Sequence, residues 1–242
     1  MFLHGWGLTR DSLRGIGILF QQSFRIHLID LPGFGDAPGP PGPWGTPEYA
    51  TLVARFIEAR LTGPVILVGH SFGGRVAVRL AAMRLPQVEG VTLIGVPGLP
   101  VQGWSRQRLR RSGIRLLRQV LQLGKPLTGS GPLDWHTRRF GSRDYLAAGA
   151  MRQVLVKTVT EDLTEAARGT LVPFLLIYGT DDTETPPWLG ARYQALLAPR
   201  ATLHVLPHKD HHMYSGTGAH LCAFKIRQWL AASGWAEAHA GR

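Results

Sequence analysis

The sequence predicts an α/β fold: a mostly parallel β-sheet with helices on both faces, interrupted late by a helical insertion. Three observations lead there. Short apolar runs, VILV at 65–68, VTLIGV at 91–96 and VPFLLIY at 172–178, lack the alternation of a half-solvated strand, so they read as strands buried on both sides. The intervals before and between the first of them carry apolar residues at helical spacing. After residue 96 that rhythm breaks, and about 75 residues pass with helical patterning and no convincing strand.

In chain order, Met1 to Leu3 is an apolar run that reaches His4-Gly5-Trp6-Gly7, the pattern of an inner strand entering a tight glycine turn. Arg25 to Asp30 alternates and stops at Pro32-Gly33-Phe34-Gly35, so it reads as a strand. A Pro/Gly-rich loop from Pro38 to Pro47 precedes a helix over 48–61, with Leu52, Val53, Phe56, Ile57 and Leu61 on one stripe and Gly63-Pro64 as its stop. The strand at 65–68 feeds a helix over 73–85, and the strand at 91–96 closes the first half. Beyond the insertion come strands at 172–178 and 202–206 and a last helix near 219–232. Within the insertion, Leu109, Gly113, Leu116, Leu117, Val120 and Leu121 trace an apolar stripe opposite arginines. The expected organisation is a core from 1–97 and 171–242 with a helical lid from 98–170.

Bulk properties narrow the class. A chain of 242 residues with 44% apolar content can bury one sizeable core. The apolar runs are too short to cross a bilayer, and no signal-peptide pattern precedes a cleavage site. Cys222 is the only cysteine, so no internal disulfide forms, which suits a cytoplasmic location. The net charge is +11, and residues 98–143 hold ten basic residues against one acid, Asp134, giving +9 there. That field would attract an anionic substrate or simply form a solvated face. Nucleic-acid binding is not expected, because no base-stacking aromatics interleave with these arginines on strands.

The sharpest chemical signal is Gly69-His70-Ser71-Phe72-Gly73-Gly74, which leaves a buried strand and opens a helix. In that context G-x-S-x-G forces a turn so tight that the Ser71 hydroxyl is pushed out above the sheet. A serine needs a base, and the imidazolium that results needs a carboxylate. Candidates follow in that order along the chain: Asp181 and Asp182 after the strand at 172–178, then His208, His211 and His212 after the strand at 202–206. All these loops would leave the carboxyl edge of a parallel sheet, where ligands bind in open α/β folds. His208, Asp210, His211 and His212 could be read as a metal cluster instead, but no second ligand group stands at a suitable spacing, and neither metal nor cofactor is expected. Oxyanion donors would be the N–H of Phe72 and an N–H from the first strand–helix loop, where Trp6 stands.

Together these segments resemble the α/β-hydrolase fold, in its branch of lid-bearing esterases and carbon–carbon bond hydrolases. HGWG resembles the oxyanion loop, DLPGFGDAP the turn after the next strand, GHSFGG the nucleophile elbow and YGTDDTETP the acid loop. The resemblance implies Asp182 as the acid and His211 as the base, with Ser71 as nucleophile and Trp6 and Phe72 at the oxyanion. It further implies a small-molecule substrate bound between sheet and lid, with His4, Gly5, His70, Trp104, Trp135 and Tyr145 as substrate-binding residues and Phe140 as a further lid aromatic. The activity expected is hydrolysis of a small carboxylic ester through an acyl-enzyme. The alternatives are cleavage of vinylogous diketones by the same triad, a perhydrolase-like side reaction, or a binding protein that has lost catalysis. Relatives of this kind carry strands before the HG loop. Their absence would expose an apolar edge, which a start assigned too late or a homodimer would explain.

Overall fold

The computed structural model describes residues 1–100 and 149–235. Six strands, β1 (Phe2–Leu3), β2 (Leu28–Ile29), β3 (Val65–His70), β4 (Val88–Ile94), β5 (Phe174–Gly179) and β6 (Ala201–Leu206), form one sheet in the order β2-β1-β3-β4-β5-β6, and every pairing is parallel. The helices of the described residues are α1 (Arg14–Gly17), α2 (Thr46–Arg60), α3 (Phe72–Ala82), α4 (Arg152–Thr160), α5 (Thr164–Arg168), α6 (Pro187–Leu197) and α7 (Gly216–Ala232).

The expected strands exist, with shifted limits. The strand placed at 91–96 runs from 88 to 94, because Gly95 leaves the extended region with φ at +55°. The strand placed at 25–30 shrinks to Leu28–Ile29, although Phe2 still donates to the His27 carbonyl at 2.8 Å. Helix α6 was not foreseen.

The two-residue period of the strands sorts their side chains into two cores. Leu3, Leu67, Leu93 and Leu176 face a cluster that includes Tyr49, Val53 and Ile57 of α2, Val76 and Leu80 of α3, and Tyr193 and Leu197 of α6. Phe2, Val68, Ile94 and Ile177 face the other way, onto Ile16 of α1 and Cys222, Ala223, Ile226 and Trp229 of α7. Cys222 is fully buried, and burial pushes its thiol up to about 12. It packs as a small apolar side chain rather than a reactive one.

Register is what gathers the site. Ile29, Leu3, Gly69, Leu93, Leu176 and Leu203 stand opposite one another across the sheet. The loops after β1, β3, β4, β5 and β6 therefore leave on one edge, with β5 and β6 running on to Gly179 and Leu206 before they turn. Residues far apart in sequence are brought within a few ångströms by that alignment.

The two ends of the 98–170 segment meet each other beside α6. Tyr193 Oη donates to the Pro97 carbonyl at 2.9 Å and Leu163 N to the Gly98 carbonyl at 2.8 Å. The returning leg is tied more deeply. Arg75 of α3, only 7% exposed, donates to the Thr158 carbonyl at 2.9 Å, and the Glu161 carboxylate accepts from Thr46 N at 2.9 Å and from Thr46 Oγ1. Such buried polar links are stable only when every member is satisfied, so they fix where this leg meets α2 and α3. A cleft of about 1330 Å³, lined by Phe2, Phe20, Phe24, Ile26, Val68 and Trp235 among others, opens at the opposite end of the strands from this edge. No helix among the described residues is long and apolar enough to cross a membrane.

Candidate active site

The turn between β3 and α3 carries Ser71 at φ 47°, ψ −110°, a left-handed conformation that side chains adopt only under constraint. Strain of this kind amounts to about 1–3 kcal/mol and persists when surrounding contacts enforce it. Here Ser71 N donates to the Ile94 carbonyl at 3.0 Å, and Gly73 N to the His4 carbonyl at 3.0 Å. A Cβ on Gly73 would overlap the carbonyls of Leu3 and His4. Glycine at 73 therefore lets the elbow lie directly against the loop after β1.

That loop is held from within. His4 is 1% exposed; its Nδ1 lies 2.8 Å from the Gly5 carbonyl, and its Nε2 accepts from Leu31 N at 3.0 Å. The imidazole is thus neutral with the proton on Nδ1, and burial lowers its pKa. Trp6 meets Phe34 at 4.9 Å and Phe72 at 5.4 Å, edge to face, which clamps the loop to the elbow helix. Among the described residues, neither Trp6 N–H nor Phe72 N–H is spent on a backbone hydrogen bond.

On the far side, the loop after β5 folds around its own carboxylate. Asp182 Oδ1 accepts from the backbone N–H of Glu184 at 2.9 Å and of Thr185 at 2.7 Å. Asp182 Oδ2 accepts from Thr185 Oγ1 at 2.5 Å and from His211 Nδ1 at 2.8 Å. Burial pushes Asp182 upward, but these donors, His211 first, outweigh it and hold the acid below its ordinary value. Asp181, the neighbouring candidate, is exposed and takes its hydrogen bond from Thr180. Of the three histidines, His211 is the buried one, at 7% exposure; His208 and His212 are exposed.

Burial pulls His211 down, yet the hydrogen bond and charge of Asp182, with Glu184 and Asp210 adding to it, leave its pKa raised. Donation from Nδ1 leaves Nε2 as the lone-pair nitrogen. Gly95, at the end of β4, backs this pair. A Cβ there would stand 3.1 Å from Thr185 Oγ1 and 3.3 Å from both Asp182 Oδ2 and His211 Nδ1. Ser71 N is bonded to the preceding residue, Ile94, so the elbow and the Asp–His pair both lie against the end of β4. No hydrogen bond joins Ser71 Oγ to His211 among the described residues.

His70 occupies a different place from the expected one. It is 2% exposed, so it offers no surface to a ligand. Its Nε2 donates to the His211 carbonyl at 3.0 Å, and its ring packs 4.8 Å from His211 and 4.4 Å from Tyr214. Burial pushes its pKa down to about 3, so the ring stays neutral and ties the base loop to the elbow. His4 is corrected in the same way: both side chains point inward from the turn rather than into the space above it. Gly5 lies against His70, where a Cβ would fall 2.6 Å from Nδ1. Trp104, Trp135, Phe140 and Tyr145 lie outside the described residues. Among the described residues no group of three His, Cys, Asp or Glu could hold a metal ion.

Sequence reasoning missed Thr185 and Tyr214. Thr185 lies three residues after the acid, the spacing at which a hydroxyl can return to a carboxylate, and that signal was available.

The chain is 28% identical over 229 residues to a pimeloyl-[acyl-carrier protein] methyl ester esterase of Nitrosomonas europaea, covering 87% of each chain. It is 29% identical over 204 residues to the enzyme of the same name from Photorhabdus laumondii, covering 77% of this chain and 75% of that one. Among solved structures, a thermophilic esterase from Thermogutta terrifontis superposes with a TM-score of 0.67 at 22% identity, over 96% of this chain and 88% of its own. The model of the alpha/beta hydrolase family matches residues 1–219. The fold, the elbow and the sequence match converge on one conclusion: this chain is a hydrolase and belongs to the alpha/beta hydrolase family.

Proposed function

We propose that this protein hydrolyses a carboxylic ester through an acyl-enzyme, with Ser71 as nucleophile, His211 as base and Asp182 as the carboxylate that orients and stabilises the imidazolium. The observation that carries the reading is the 2.8 Å bond from His211 Nδ1 to a buried, fully hydrogen-bonded Asp182 at the strand end where Ser71 is anchored. Nε2 of His211 takes the proton as Ser71 Oγ adds to the ester carbonyl. The N–H groups of Trp6 and Phe72 stabilise the oxyanion, and His211 returns the proton to the departing alcohol. Water, deprotonated at the same nitrogen, then releases the acid. His4 and His70 act behind this machinery by holding the oxyanion loop and the base loop to the elbow.

The relatives' names support a methyl ester of a carrier-bound acyl chain as one substrate class to test, and the +9 segment at 98–143 supplies a field that would draw an anionic carrier. The direct test is turnover of p-nitrophenyl butyrate. The wild type releases a burst of p-nitrophenolate followed by steady turnover, and Ser71→Ala abolishes both. Full turnover by that variant would remove Ser71 from its role.

A further inference from the structure

The acid loop places a second carboxylate where the triad does not use it. Glu184 Oε2 lies 3.7 Å from Nε2 of His211, the nitrogen that faces the reaction. Its backbone N–H is fixed to Asp182 Oδ1 at 2.9 Å, while its side chain is 60% exposed. The carboxylate therefore stands at the mouth on a braced backbone. Among the described residues, the other charged and titratable groups around His211 do not offset it. Asp182 occupies the Nδ1 side, Asp210 adds negative charge, and His70 is neutral. His212 packs edge-on at 6.2 Å. Lys209 donates to Thr217 Oγ1 at 2.9 Å.

Resting on the triad reading above, we propose that Glu184 is a specificity-determining residue that reads the charge of the leaving alcohol, favouring cationic or neutral alcohols over anionic ones. The argument follows from proton traffic. His211 Nε2 must hand its proton to the ester oxygen that departs, so the alcohol, not the acyl group, occupies the space beside Nε2. A charge on that alcohol therefore sits within a few ångströms of Glu184. At about 4 Å in a water-like dielectric, a unit charge pair changes a rate on the order of fivefold. The exposure of Glu184 keeps the effect near that figure and makes it sensitive to salt.

Three butyrate esters sharing one acyl group isolate the effect: those of choline, of its uncharged isostere 3,3-dimethylbutanol, and of 3-hydroxypropionate. Intrinsic reactivities differ, so the readout is kcat/KM of each charged ester divided by that of the neutral one, compared between wild type and variants. Glu184→Gln should lower the cationic ratio and raise the anionic ratio, each about three- to fivefold at low ionic strength. Glu184→Lys should move both ratios further the same way, and 1 M salt should erase most of the difference. Ratios unchanged in both variants, or changed equally at high salt, overturn the proposal. Labelling of Ser71 by a neutral fluorophosphonate keeps the two readings apart. Labelled protein with unchanged ratios rejects the role of Glu184 alone, whereas unlabelled wild type rejects the triad and this inference with it.

Discussion

Thr185→Val is a close-to-isosteric change that removes one hydroxyl from the acid loop, and its effect can be worked out from the contacts of Asp182. Four donors surround that carboxylate: His211 Nδ1, Thr185 Oγ1 and the backbone N–H groups of Glu184 and Thr185. Valine keeps the backbone donor and the shape but deletes the 2.5 Å hydroxyl bond to Oδ2. Thr185 is 2% exposed, so no bulk water replaces the lost donor. A hydrogen bond to a charged group is worth about 1.5–3 kcal/mol. For a chain of this size that corresponds to a fall in Tm of about 3–12 °C at pH 7.

The pH dependence gives a second check. The folded-state pKa of Asp182 is held below its unfolded value, so the stability it contributes is present above the unfolded pKa and is lost as pH falls through the folded one. The gap between wild type and variant should therefore be full at pH 7 and narrow in acid, as both forms become protonated. Thermal melts at pH 7 and at successively lower pH measure it. A Tm within about 1 °C of wild type at pH 7, or a gap that widens in acid, would refute the reasoning.

Two further changes probe the site itself. Asp182→Asn removes the charge that holds His211 above its ordinary value and favours the wrong tautomer. Ester turnover should fall by a factor on the order of 10⁴, and the acid limb of the residual pH–rate profile should move to lower pH. Gly73→Ala places a methyl group into the Leu3 and His4 carbonyls and drives the elbow away from the oxyanion loop. It should reduce kcat/KM by about 100-fold or more, read with p-nitrophenyl butyrate alongside a circular dichroism check of folding.

How much could be read from the residues varied with whether the cause was local. The strands at 65–68 and 172–178 were legible because parallel strands buried on both faces are apolar throughout, whereas β6, at the sheet edge and partly exposed, mixes Thr202 and His204 with its apolar residues. β1 was legible only through the glycine turn that follows it, since two residues show no period. Helix α6 escaped although Pro187 begins it and Leu189, Tyr193 and Leu197 recur at four-residue spacing. Its start is crowded against the acid loop, and that loop's chemistry masked the helical signal. At the site, the pattern around Ser71, Asp182 and His211 carries its own turn chemistry and could be placed on one edge. The positions of His4 and His70 could not, because which way a side chain leaves a tight turn depends on the packing of Leu31, Gly5 and His211 around it. Glu184 meets His211 only once the loop after β6 is brought against the loop after β5, where Asp181 N donates to the Lys209 carbonyl at 3.0 Å.

The convergence of Ser71 with the Asp182–His211 pair is tested most directly by covalent trapping. Incubation with a small fluorophosphonate, followed by intact-mass measurement and peptide mapping, should show one adduct per chain, carried by Ser71. Labelling should slow by orders of magnitude in His211→Gln. An unmodified chain, an adduct on a different residue, or an undiminished labelling rate in that variant would contradict the account.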